Sequence, residues 1–171
     1  DHHYTNPCIL KLDWIYPPGE TSFYLFYISD QDGDFDIYYR TYSTNGFSEP
    51  VAFTSTNSDE KNLRSNGATG LTWEYDGKIL YSSIRNDGGG PYYFTDAVVV
   101  DSGNCKKPVL EAIPNGTIGE KYLAWEKEIN DSSRVMLSQW DYAGDGWLRS
   151  GCDHSQRPRP GQYPLDNDHR L

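Results

Sequence analysis

The segment Ser29-Asp30-Gln31-Asp32-Gly33-Asp34-Phe35-Asp36-Ile37-Tyr38-Tyr39 constrains this chain more than any other, because an apolar run enters an Asp/Gly turn and another leaves it. Before the turn, Phe23-Tyr24-Leu25-Phe26-Tyr27-Ile28 is aromatic and β-branched, which suits a pleated, half-buried surface. After it, Phe35, Ile37 and Tyr39 alternate with Asp36, Tyr38 and Arg40, so one face can be buried while the other is wet. Gly33 supplies a positive φ, and the Asp side chains can bond their own backbone. The pattern predicts a β-hairpin.

The same plan returns downstream. Tyr122-Leu123-Ala124-Trp125, a polar turn at Asn130-Asp131-Ser132-Ser133 and Val135 to Trp140 form a second copy. A middle copy places Lys78 to Ser83 before a turn at residues 86–90, followed by Tyr92-Tyr93-Phe94 and Ala97 to Val100. Inner strands are thus expected at Tyr27, Tyr81 and Trp125, roughly 45 to 55 residues apart, the period of propeller blades. Asn6-Pro7-Cys8-Ile9-Leu10 and Lys107-Pro108-Val109-Leu110 read as equivalent first strands, with Pro where a missing N–H is tolerated. Residues 47–53 and Gly146-Trp147-Leu148 read as outer strands.

The expected fold is therefore all-β, with propeller-type repeats of antiparallel four-stranded blades. Blade 1 covers residues 6–56, blade 2 residues 63–104 and blade 3 residues 105–150, while residues 151–171 begin a further blade or form a tail. Because a closed propeller takes roughly four to eight blades, three blades imply part of a larger propeller. The competing expectation is closure by several copies of the chain. The stretch Lys121 to Ile129 shows some helical periodicity, but Tyr122-Leu123-Ala124-Trp125 suits a strand equally well.

At Ser29 to Tyr38 the chain resembles the TolB-like propellers and the related repeat of bacterial surface and periplasmic proteins. Their blades carry a Ser-Asp-Arg-Asp-Gly-Asn-x-Asp-Ile-Tyr signature, matched here without a gap, with Gln31 for Arg and Asp34 for Asn. Ser83-Ile84-Arg85-Asn86-Asp87-Gly88 keeps part of it, and Glu128-Ile129-Asn130-Asp131 keeps the turn character alone. The Tyr-rich strands and the Ser48-Glu49-Pro50-Val51 outer strand look most like propellers of large envelope or secreted proteins of Bacteroidota-type bacteria. This resemblance implies a periplasmic, cell-surface or secreted location and other envelope or secreted proteins as partners.

Composition agrees with an extracytoplasmic β-protein: Tyr 14, Phe 6 and Trp 5 against Met 1, with Gly, Asn, Asp, Ser and Pro between short apolar runs. No apolar run has the length of a membrane span. A net charge of −10 argues against nucleic acid, whose binding needs clustered Lys and Arg. The acidity suits solubility, a cation or a basic partner, and does not choose among them.

Cys8, Cys105 and Cys152 are an odd number, so in an oxidising compartment one is unpaired or bonded to another chain. Zinc would draw on His2, His3, Cys8, Cys152, Asp153 and His154, whose spacing fits no close-pair zinc pattern. Calcium is the better metal reading: Asp30, Asp32, Asp34 and Asp36 place alternating carboxylates in one turn. The loop resembles the calcium loops of integrin-type propellers but is shorter and lacks their second Gly. A turn held by Asx-type hydrogen bonds is the favoured alternative, with no cofactor.

No catalytic residue is singled out. Glycoside hydrolysis needs two carboxyl groups at a defined separation, a Gly-x-Ser-x-Gly elbow is absent, and Gly88-Gly89-Gly90 precedes Pro91 and a strand, not a phosphate-cradling helix. The residues to inspect for a ligand are Trp73, Trp125 and Trp140 with the neighbouring Glu74 and Glu126. Exposed beside acids in a groove, these indoles would bind a glycan; otherwise they pack the β-core. The leading expectation is a noncatalytic interaction or scaffold module, and the alternative is a carbohydrate-binding or glycan-processing propeller.

Overall fold

The computed structural model describes residues 2–11, 23–67, 69–85, 92–113, 120–141 and 146–148. Expectations for the turn at residues 86–90, for Cys152, Asp153 and His154, and for the start of a further blade in residues 151–171 lie outside the described residues. Within them the chain is all-β, built from antiparallel sheets, and no helix is present among them.

The first sheet joins β1 (Tyr4–Lys11), β2 (Phe23–Ser29), β3 (Asp36–Ser43) and β4 (Gly46–Phe47), with β5 (Val51–Ala52) also pairing with β3. The second joins β6 (Glu60–Ser65), β7 (Gly70–Tyr75), β8 (Lys78–Arg85) and β10 (Val98–Ser102), with β9 (Tyr93–Phe94) also on β8. The third joins β11 (Cys105–Ile113), β12 (Glu120–Ile129), β13 (Ser132–Asp141) and β14 (Gly146–Trp147). Each sheet is built on a four-strand antiparallel path in chain order, with β5 and β9 as fifth strands of the first and second sheets.

Local sequence explains the turns. Asp76-Gly77 and Asn130-Asp131 are two-residue hairpins in which both residues take positive φ (47° and 65°, 50° and 58°), the twist that matches flanking strands. Gly33 takes φ 116°, as its turn requires. The expectation of one continuous outer strand over residues 47–53 is corrected: β4 and β5 are separate pieces. Between them Ser48 donates its N–H to the Thr41 carbonyl (2.9 Å) and accepts the Thr41 N–H on its hydroxyl (3.0 Å). Thr95 treats Ser83 in the same way between β9 and β10, at 2.8 and 3.0 Å.

The first strand of every sheet is interrupted at the same place. Pairing slips between Thr5 and Cys8, between Lys61 and Arg64, and between Lys106 and Val109. The inserted residues Asn6, Asn62 and Lys107 take φ of 48°, 52° and 53°, forming β-bulges that bend the strand. Opposite the residue before each bulge stand Ile28, Glu74 and Glu126. Aligned on these bulges, Tyr27, Trp73 and Trp125 occupy one position. The expected equivalence of Tyr81 with Tyr27 and Trp125 is therefore corrected, because Tyr81 lies on β8, the third strand of its sheet. The polar sequence of β6, Glu60-Lys61-Asn62, hides the second sheet's true first strand.

The sheets pack face to face in chain order. Leu10, Phe26, Ile28 and Ile37 of the first sheet meet Leu63, Leu71 and Trp73 of the second. The other face of the second sheet, with Ile79 and Tyr81, meets Cys105, Leu110, Leu123, Trp125, Met136 and Trp140 of the third. Period-2 alternation produces both cores: Leu71 and Trp73 point one way from β7, while Thr72 and Glu74 point the other. One such hydrogen bond ties the second sheet to the hairpin of the first, Glu60 N–H to Phe35 O (2.7 Å), and one ties the third to the hairpin of the second, Cys105 N–H to Gly77 O (2.9 Å).

Candidate functional site

The four turn carboxylates do not converge. Asp30 accepts the backbone N–H and Nδ1 of His3, both at 2.7 Å, and these bonds hold its carboxyl below the usual range. Asp32 accepts the Tyr38 hydroxyl; burial, with that bond, pushes Tyr38 up to about 12. Asp36 is buried and accepts the Thr56 N–H (3.1 Å) and the Thr54 hydroxyl (3.4 Å) on Oδ1. Asp34 is partly exposed. Among the described residues no group of three or more His, Cys, Asp or Glu is arranged to hold a metal ion. Cys8 and Cys105 are free thiols, pushed up to about 12 and about 11 chiefly by burial.

The three tryptophans expected near a ligand are core residues: Trp73 is 1% exposed, Trp125 3% and Trp140 8%. Trp73 packs edge-on to Phe53, and Trp140 lies against Tyr81 and Trp147. Glu74 and Glu126 belong to the bulges. Glu74 Oε2 accepts Nδ2 of Asn62 (2.8 Å) and, from the next sheet, the N–H of Lys107 (3.2 Å). Glu126 pairs with Nζ of Lys107 at 3.1 Å.

A cleft of ≈ 440 Å³ opens instead between β10 and the third sheet, and Trp125 is one of its walls. Val99, Met136, Trp147 and Leu148 supply apolar surface; Asp101, Ser102, Lys127 and Ser138 supply polar atoms. Asp101 organises this group, accepting Nζ of Lys127 (2.7 Å) on one oxygen and Nε1 of Trp125 (3.0 Å) on the other. Burial pushes the Asp101 carboxyl upward, but Lys127, the Ser102 N–H and Trp125 outweigh it and hold the group below its ordinary value. The hydroxyl of Ser138 donates to the Leu148 carbonyl. Nε1 of Trp147 is buried without a protein acceptor.

Chemically the cleft offers an indole wall and a fixed ion pair. Asp101 is the single carboxylate among its described lining residues. The sequence pointed to Trp125 but not to its partners. Asp101 and Lys127 lie on different sheets, and nothing in their local spacing brings them together. Comparison with family models, with curated proteins and with solved structures finds no match.

Proposed function

We propose that the three sheets are successive blades of a propeller-type repeat, and that the chain is a noncatalytic interaction or scaffold module of a secreted or cell-envelope protein. The observation that carries this reading is the acidic rim. The hairpin turns and inter-sheet connections share one edge, linked by the bonds from Glu60 to Phe35, from Cys105 to Gly77 and from Glu128 N–H to Asn104 O. That edge carries Asp30, Asp32, Asp34, Asp59, Asp76, Glu128 and Asp131 against Lys61, Lys78, Lys106 and Arg134, with Asp76 and Glu128 in ion pairs with Lys78 and Lys106 at 3.5 and 3.2 Å and Asp59 near Lys61 at 3.9 Å. An edge with an excess of negative charge steers a basic protein surface and sets its orientation.

The test titrates the chain against envelope and secreted proteins of its own source at low and high salt. A partner should bind more weakly at high salt. Asp59→Asn, Asp76→Asn and Asp131→Asn combined should slow association by roughly tenfold. Binding indifferent to both salt and the triple substitution refutes the rim.

A second reading, carbohydrate binding, has its own observation in the cleft where Trp125 and Trp147 stand beside Asp101, Ser102 and Lys127. Saccharides would quench tryptophan fluorescence in the parent and not in Trp147→Ala. If no member of an oligosaccharide panel alters the emission, this reading falls.

A further inference from the structure

The third sheet leaves one face without a described neighbour. Val109, Val135 and Leu137 stand on it, 51%, 76% and 51% exposed, beside Ala124 and Glu126. In the second sheet the matching face carries Arg64, Thr72, Glu74, Ile79 and Tyr81, and the third sheet covers it. The exposed face thus holds the register positions that, one sheet earlier, form a core.

Its polar group matches as well. Glu74 is held by the side chain of its own sheet's bulge residue, Asn62, and receives the backbone N–H of the next bulge residue, Lys107. Glu126 stands at the same register position and is held by the side chain of its own bulge residue, Lys107. One donor of the pattern remains to be supplied. The bulge residues Asn6, Asn62 and Lys107 recur roughly every 45 to 55 residues, and one further interval reaches Arg157. There the sequence reads Arg157-Pro158, as Asn6-Pro7 and Lys107-Pro108 read at two of the three bulges.

We propose that the segment from Ser155 to Pro160 docks on this face as the first strand of a fourth sheet. The Arg157 N–H is donated to Glu126. Two residues earlier, Ser155 corresponds to Glu60 and Cys105, which each donate to the hairpin of the preceding sheet, so its N–H is donated to the third hairpin. Ser133 holds the register position of Phe35 and Gly77 there. The docked strand shields Val109, Val135 and Leu137 from water, the gain expected when stacked units share a continuous core. This inference rests on the shared register of the sheets and is independent of which partner the rim binds.

Amide hydrogen exchange by NMR on the 171-residue chain tests it. The Arg157 and Ser155 amides should exchange at least about tenfold more slowly than in a free chain. Glu126→Ala should release the Arg157 amide, while the amides of Leu123 and Trp125 stay protected and show that the sheet is intact. Glu126→Gln, which keeps an acceptor oxygen, should retain most of the protection. Free-chain exchange at Arg157 in the parent overturns the proposal. Protection that appears only as protein concentration rises also overturns it, assigning the face to a second copy of the chain.

Discussion

Glu60 should make the fold less stable as pH rises from about 4.5 to about 7. It is the first residue of β6 and is 1% exposed. Its Oε1 accepts the Thr56 hydroxyl at 3.0 Å, and its Oε2 is buried without a protein donor. Burial, with a smaller push from the nearby Asp36 charge, raises its carboxyl from 4.5 to about 7. In the unfolded chain this carboxyl loses its proton near 4.5, while in the native state it keeps it to about 7. Between those values the native state binds more protons, so stability falls as pH increases. Below 4.5 both states are protonated and the stabilisation is complete; above about 7 it is gone. At about 1.36 kcal/mol per pH unit, the loss across the window is on the order of 3 kcal/mol. Glu60→Gln keeps the size and cannot ionise. Urea unfolding at a series of pH values, at unchanged m, reads the difference. Parent and variant should diverge from pH 5 to pH 8, the variant becoming more stable by on the order of 2 to 3 kcal/mol. Comparing the two removes contributions from other titrating groups. Parallel pH profiles would mean that the buried Glu60 carboxyl does not hold its proton above its unfolded value.

Three further outcomes follow from the packing. A Cβ at Gly70 would lie 2.6 Å from Cε2 and 2.8 Å from the hydroxyl oxygen of the buried Tyr81, so Gly70→Ala should cost about 1 to 3 kcal/mol by urea unfolding, and Tyr81→Leu in the same chain should recover part of it. At the second bulge, Asn62→Gly should be better tolerated than Asn62→Val, by about 1 to 2 kcal/mol, because φ there is 52° and a β-branched residue resists it. In the native protein at pH 8, Cys8 and Cys105 should resist alkylation and react after unfolding, since burial keeps both thiols protonated; modification at the rate of a free thiol would contradict their placement.

The hairpins were legible where alternation and turn chemistry coincide. Phe23–Ser29 and Asp36–Ser43 lie where the aromatic runs on either side of Gly33 place them. β12 is a strand despite its weak helical periodicity, because its alternate residues Leu123 and Trp125 enter a core between sheets. The second sheet was misaligned by one strand because its apolar signal sits on β8, while β6 opens with Glu60, Lys61 and Asn62. Asp76-Gly77 carried the missing information, as Asp-Gly flanked by alternating residues is a strong hairpin signal. The cleft was not legible. Asp101, Trp125 and Lys127 are brought together by sheet stacking, and the sequence encodes that contact only through the register of the strands.

One sheet design is stacked three times in the same orientation, and the two faces of the second sheet meet different neighbours. Aromatic NOEs distinguish those two faces. The Trp73 ring should show contacts to Phe53, and the Tyr81 ring contacts to Trp140 and Trp147, with no neighbour in common between the two sets. If Trp73 and Tyr81 instead report the same neighbours, the second sheet does not lie between the other two, and the stacked arrangement is wrong.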